Sequence, residues 1–256
     1  MGHWGRSCVA CPFFFKEREV IEELLAENGL VPDIDDDAFG EAYERCPAVQ
    51  RSVIKNAVGF AYALAQDGVE PVMQARRLGH VEQSVRCERL EWAFFAVDLR
   101  RFPLPAIFSA MVQALVAKVR TLVVHVSGPV SDPLLFGCDF LSAHQVFTTD
   151  PEPVLKILAT SGQGICVDLA GTDLDYPRTL RPDPAAYGVE IRLPDSGYVQ
   201  AYKAVTAEVT VQGRPYICYG GESGCAPVVM AERLLGCWVW DEISPDAFRY
   251  RTLNFS

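Results

Sequence analysis

Between residues 104 and 170, stretches with a helical spacing of apolar positions alternate with short β-branched runs. Ile107, Met111, Leu115 and Val119 recur every four residues, which places them on one face of a helix. Residues 121–126 follow as a run that is apolar save His125, the pattern of a strand covered on both faces. Asp132 stands before Pro133, a pair suited to cap and open a helix. Residues 144–148 then predict a strand, 152–159 a helix and 165–169 a third strand. Helices inserted between short buried strands imply right-handed crossovers and a parallel sheet. The predicted class is α/β, a three-layer core around that sheet. Such sheets carry their sites at the carboxyl ends of the strands. Ser127, Gly128, Thr149, Asp150, Gly171 and Asp173 therefore border the expected crevice.

Upstream the spacing is helical. Residues 16–28 predict an amphipathic helix ending at Asn28-Gly29, and an acidic turn at 33–37 leads into a second helix around 38–45. Residues 47–66 predict a third helix opened by Pro47, and 72–90 a fourth with Gly79 inside it. Residues 1–90 thus read as an N-terminal helical region, and 91–256 as the α/β core with a β-rich C-terminal part. Within that core 91–99 reads as a strand, with a hinge at Phe102-Pro103-Leu104-Pro105. Residues 189–193, 198–211 and 214–219 read as strands, and Gln212-Gly213 as a hairpin turn. The aromatic tail from Trp238 onward is expected to pack back on the core.

Composition narrows the partners. Half of the 256 residues are hydrophobic, ample for a buried core. The net charge of -10 argues against a nucleic acid or an anionic membrane, since both attract clustered cations. No apolar run reaches the ~20 residues that span a bilayer, and residues 1–30 lack the pattern of a secretory signal. The expected location is the cytosol. Nine cysteines, an odd number, fit reduced thiols better than a disulfide framework.

Three stretches could carry chemistry. At 215–236 a β-run meets the glycine-rich turn Gly220-Gly221-Glu222-Ser223-Gly224, and a helix is expected from Ala226. Free amides at such a start can bind an anion, so Gly220, Gly221 and Gly224 are candidate ligand contacts. Cys225 at that start is the candidate nucleophile, because a helix N-terminus stabilises a thiolate. The plain alternatives are a structural βα turn and a buried, inert cysteine. Cys8, Cys11, Cys46 and Cys87 are the candidate metal ligands, four thiols able to hold zinc or an iron–sulfur cluster. Their spacing matches neither a ferredoxin nor a zinc ribbon. Asp168, Asp173 and Asp175 could meet a cation or a ribose hydroxyl, or sit in a solvated loop.

Ala117-Lys118-Val119, the strand at 121–126, Pro129, Asp132-Pro133 and Val146-Phe147 stand in an order that resembles the nucleotide-binding half of histidinol dehydrogenases, within the aldehyde-dehydrogenase-like group. The resemblance covers about residues 102–150. It implies a Rossmann-like fold, NAD(P) as cofactor and oxidoreductase chemistry. The glycine pair that those enzymes carry before the first of these helices is replaced here by Arg100-Arg101-Phe102. Three functional readings follow. The first is a divergent dehydrogenase-like protein that binds a nucleotide or a small anion at the strand ends. The second is a metal or iron–sulfur accessory protein using the N-terminal cysteines. The third is an interaction protein, possible as a homodimer, that docks through Phe13-Phe14-Phe15.

Overall fold

The computed structural model describes residues 21–65, 73–79, 81–187 and 236–255, together with short stretches between 189 and 230. Three helices come first: α1 (Ile21–Glu27), α2 (Asp36–Arg45) and α3 (Ala48–Leu64). Strands β1 (Met73–Leu78), β2 (Val81–Arg89) and β3 (Trp92–Val97) follow. The chain then alternates through α4 (Leu104–Val116), β4 (Thr121–Val126), α5 (Asp132–Phe140), β5 (Gln145–Phe147), α6 (Pro151–Leu158), β6 (Gly164–Leu169) and β7 (Thr179–Leu180). Short strands β8 (Val189–Ile191), β9 (Thr210–Val211), β10 (Arg214–Pro215), β11 (Ile217–Tyr219) and β12 (Val228–Met230) precede the last strand, β13 (Arg249–Phe255).

The main sheet is parallel, in the order β5-β4-β3-β6-β7. The chain steps outward from β3 through β4 to β5, then returns over the sheet to lay β6 against the other side of β3. That reversal is a topological switch between β3 and β6, and right-handed crossovers then force helices onto both faces. Side-chain alternation shows the two faces. Ala93, Phe95 and Val97 of β3 share a cluster with α2 to α5, while Trp92, Phe94 and Ala96 share one with α1 and α6. The α/β class with a parallel sheet thus stands as expected.

Helix α4 is buried along 104–114 because the sheet lies on one side and α3 on the other. It ends with Lys118 in the left-handed region at φ 61°, where Val119 N–H reaches back to the Ala114 carbonyl at 3.0 Å. Val119 therefore lies past the helix that its spacing suggested. Asp132 does not cap α5. It is the first helical residue, and its carboxylate takes the Arg45 guanidinium of α2 at 2.9–3.2 Å.

Three corrections concern the flanks. Residues 73–89 are an antiparallel hairpin rather than a helix, with Leu78 paired to Val81 across a two-residue turn opened by Gly79 at φ 63°. Val81 and Val85 fit a helical spacing, but Val85 and Cys87 between polar neighbours also fit a strand, so local spacing leaves the choice open. Among the described residues of 198–211, Gln200 and Lys203 have helical backbone and β9 is extended. The apolar residues Ala201, Ala204 and Ala207 recur at every third position, a spacing that does not fit a strand's alternation. The helix expected from Ala226 gives way to β12, whose Val228-Val229 pair favours extended backbone and lies parallel to β8.

The tail packs back as expected. Trp238, Trp240, Ile243 and Phe248 join the α2–α5 cluster, and β13 pairs with β2. Arg178, just before β7, donates to the carbonyls of Ala247 and Arg249 at 2.6 and 2.5 Å, tying the tail to the sheet edge.

Candidate functional site

The turns after β3, β4 and β6 lie side by side, because Val97 is level with Val126 on one side and with Leu169 on the other. After β3, Asp98 turns back on its own loop. It accepts from the Arg100 N–H at 2.8 Å and holds the Arg100 guanidinium at 2.8–3.1 Å. Burial alone would raise the Asp98 carboxyl, but these bonds and the charge of Arg101 outweigh it and hold it below its usual range.

Asp168, 3% exposed, closes the turn after β6. Its Oδ1 accepts from the N–H groups of Ala170, Gly171 and Thr172 at 3.1, 2.6 and 3.2 Å. Arg181 lies 3.8 Å from its other oxygen and 3.6 Å from the almost fully exposed Asp173. Gly171 (φ 71°) has a steric duty as well. A Cβ there would lie 1.8 Å from Nη1 of Arg101, so the guanidinium rests directly on the Gly171 backbone. The Nε of Arg101 is buried and has no hydrogen-bond partner among the described residues. A cation thus sits at the switch point between β3 and β6.

In dinucleotide-binding folds the pyrophosphate approaches the start of the first crossover helix through a glycine-rich turn. Here that start is closed. Pro103 and Pro105 supply no N–H, and the N–H groups of Ala106 and Ile107 already bond the Pro103 carbonyl at 3.0 and 3.2 Å. Residues 102–106 are all buried. Trp240 caps them, its Nε1 donating to the Ala106 carbonyl at 3.0 Å and its ring lying 5.4 Å from Phe102.

The remaining sequence candidates are scattered. Ser127, half-buried after β4, donates its N–H to the Val97 carbonyl at 2.8 Å, and Gly128 beside it is exposed with φ 116°. Thr149 and Asp150 are engaged by structure. Thr149 O meets His125 Nε2 at 2.6 Å, and Asp150 caps α6. Asp33, from the loop after α1, accepts from Thr148 N and Oγ1 and from Thr149 N, which holds its carboxyl below the usual range. Cys46 is buried at the end of α2 and its thiol is pushed up by burial, while Cys87 lies half-buried on β2. Cys8, Cys11, Gly220, Gly221, Gly224, Cys225 and the run Phe13-Phe14-Phe15 lie outside the described residues. Cys138 and Cys166 are pushed up to about 12 by burial, so neither is a thiolate near neutral pH. Among the described residues no three of the His, Cys, Asp and Glu side chains gather as metal ligands.

Arg101 is the residue that sequence reasoning passed over. Its signal was present as the Arg100-Arg101 pair, two adjacent cations just after the strand expected at 91–99.

His125 makes the sheet pH-sensitive. It is 5% exposed, stacked against Phe94 at 6.4 Å, and its Nδ1 has no partner among the described residues. Burial lowers its pKa below the ordinary 6.5, against smaller opposing effects of Thr149 O, Asp150 and Asp33. A depressed histidine contributes stability that is present above the unfolded value and lost as pH falls through the folded one. The unfolding midpoint should therefore drop as pH falls below about 6.5, and His125→Gln should flatten that slope. Parallel pH profiles for the two proteins would contradict this role.

No protein-family profile and no curated protein sequence matches the chain. Among solved structures, histidinol dehydrogenase from Elizabethkingia anophelis is similar at 10% sequence identity and a TM-score of 0.45, over 69% of this chain and 46% of that one. The chain thus spans less than half of that protein's length. No helix among the described residues is long and apolar enough to cross a membrane.

Proposed function

We propose that the protein is a divergent, dehydrogenase-like ligand-binding domain that takes a small anion, a carboxylate or a phosphate, at the carboxyl ends of β3, β4 and β6. Arg101 is the pairing cation. The observation that carries the reading is its guanidinium, seated on Gly171 at the switch point with Nε buried and unpaired among the described residues. A buried donor left without a partner costs roughly 1–3 kcal/mol, and more when charged, which an anion would recover. Ser127 and Gly128 flank the same edge and complete the contact. The closed start of α4 narrows the ligand. With two prolines there and the Ala106 and Ile107 amides already engaged, a pyrophosphate lacks the cradle that a dinucleotide needs, so a small anion is favoured over NAD(P).

Calorimetric titration of the intact chain with inorganic phosphate, citrate, AMP and NAD tests this. Saturable binding of at least one small anion is expected, weakened about tenfold or more in Arg101→Ala, the loss of one charge-assisted hydrogen bond. Arg101→Lys should recover part of it. Equal affinity in Arg101→Ala would remove the assignment. Tight NAD binding without phosphate binding would restore the dinucleotide reading.

A further inference from the structure

We infer that the antiparallel sheet β1-β2-β13 is a docking surface for an extended peptide segment that carries both acidic and apolar side chains on one side, at every second residue. The inference is independent of the strand-end site. In a chain of net charge -10, these three strands carry six arginines and two glutamates, a net +4. The charges are sorted by face. Register places Val85 beside Leu253, Cys87 beside Arg251, and Gln83 between Arg76 and Phe255, so all of these share one face. Glu82 and Glu88 fall on the other face, where Glu82 is level with Arg77 and Glu88 pairs with Arg86 at 2.5 Å.

The second face is therefore charge-balanced, whereas every charged residue on the Val85 face is an arginine. Three of its apolar members are also open. Val81, Leu253 and Phe255 are 48, 43 and 63% exposed. Arg76 and Arg251 are exposed between them. A face of this kind matches carboxylates set among aliphatic side chains. A second copy of the same face would set arginine against arginine and is disfavoured. Strand β13 pairs only with β2 in its sheet, so among the described residues its other edge has main-chain groups able to take an added strand.

The test is fluorescence anisotropy on the full chain with a labelled peptide of the repeat Glu-Ser-Val-Ser, which sets glutamate and valine on the same side of an extended chain. The same peptide with lysine in place of glutamate and vesicles of anionic phospholipid serve as comparisons. Saturable binding of the glutamate peptide alone is expected. It should weaken at least tenfold in the double variant Arg76→Glu/Arg251→Glu and fall steeply with added salt. Leu253→Ser/Phe255→Ser, with unchanged circular dichroism and melting temperature, should weaken it too. Equal binding of both peptides, or unaltered binding in the charge-reversed variant, would overturn the inference. So would vesicle binding without peptide binding, which would make this a lipid surface. Protection of Leu253 and Phe255 from hydroxyl-radical labelling in the free chain would mean that a segment of the same chain covers the face, and would also overturn it.

Discussion

Replacing Gly164 by alanine is expected to destabilise the protein by about 3 kcal/mol, the upper part of the range for overfilling a packed interior. Gly164 opens β6 directly opposite Trp92 of β3. A Cβ there would lie 2.0–2.4 Å from three atoms of the Trp92 indole. The ring has nowhere to retreat. Trp92 is fully buried, Tyr176 lies against it at 5.1 Å, and Leu25, Val154 and Leu158 share its cluster. The alternative to moving the ring is to part the two central strands of the sheet. Urea denaturation measures the loss. Trp92→Leu in the same background makes room, so the double variant should be more stable than the sum of the single effects by about 1 kcal/mol or more. A Gly164→Ala protein within about 0.5 kcal/mol of the parent, the range of neutral surface changes, would contradict the β3–β6 packing.

The second large effect belongs to Asp168. Asp168→Ala should cost about 3 kcal/mol, since it removes the acceptor of three N–H groups in a partly buried turn and leaves them unpaired. Asp168→Asn keeps an acceptor oxygen and should recover most of the loss. The same turn seats Gly171 under Arg101, so the alanine variant should weaken anion binding together with stability, while the asparagine variant retains it. Thermal unfolding and phosphate titration on both variants check the pair. An alanine variant as stable as the asparagine one would mean that the turn holds without its carboxylate.

Asp168 also shows what was legible. It stood in the sequence as one of three aspartates after a strand, a candidate for a cation or a ribose. Its use is internal, closing the turn, and that depends on backbone geometry a residue type does not reveal. Gly171 was named as a residue bordering the strand-end crevice, and the group that rests on its backbone is Arg101, brought from the turn after β3. Cys46 was grouped with three other thiols by residue type, yet it is packed between α2 and the core as a small apolar side chain.

By itself the sequence determined those elements whose pattern is local. The crossover units from α4 to β6 appear within a few residues of where their spacing puts them, because period and length are properties of a short segment. The α/β class and parallel sheet follow from their alternation. Only the tertiary structure decided which strand lies at the centre, where the chain reverses, and what fills the crevice. β3 is central because β4 and β6 pair with its two sides, and nothing in residues 92–97 encodes which neighbours those are. The start of α4 is sealed by Trp240, a residue 134 positions away in sequence from the carbonyl it bonds. Hairpin or helix at 73–89 was a near tie in local spacing, settled when β13 supplied the third strand against β2. Contacts of that kind join segments far apart in the chain, so their energy is invisible to any local pattern and enters only when the fold brings the segments together.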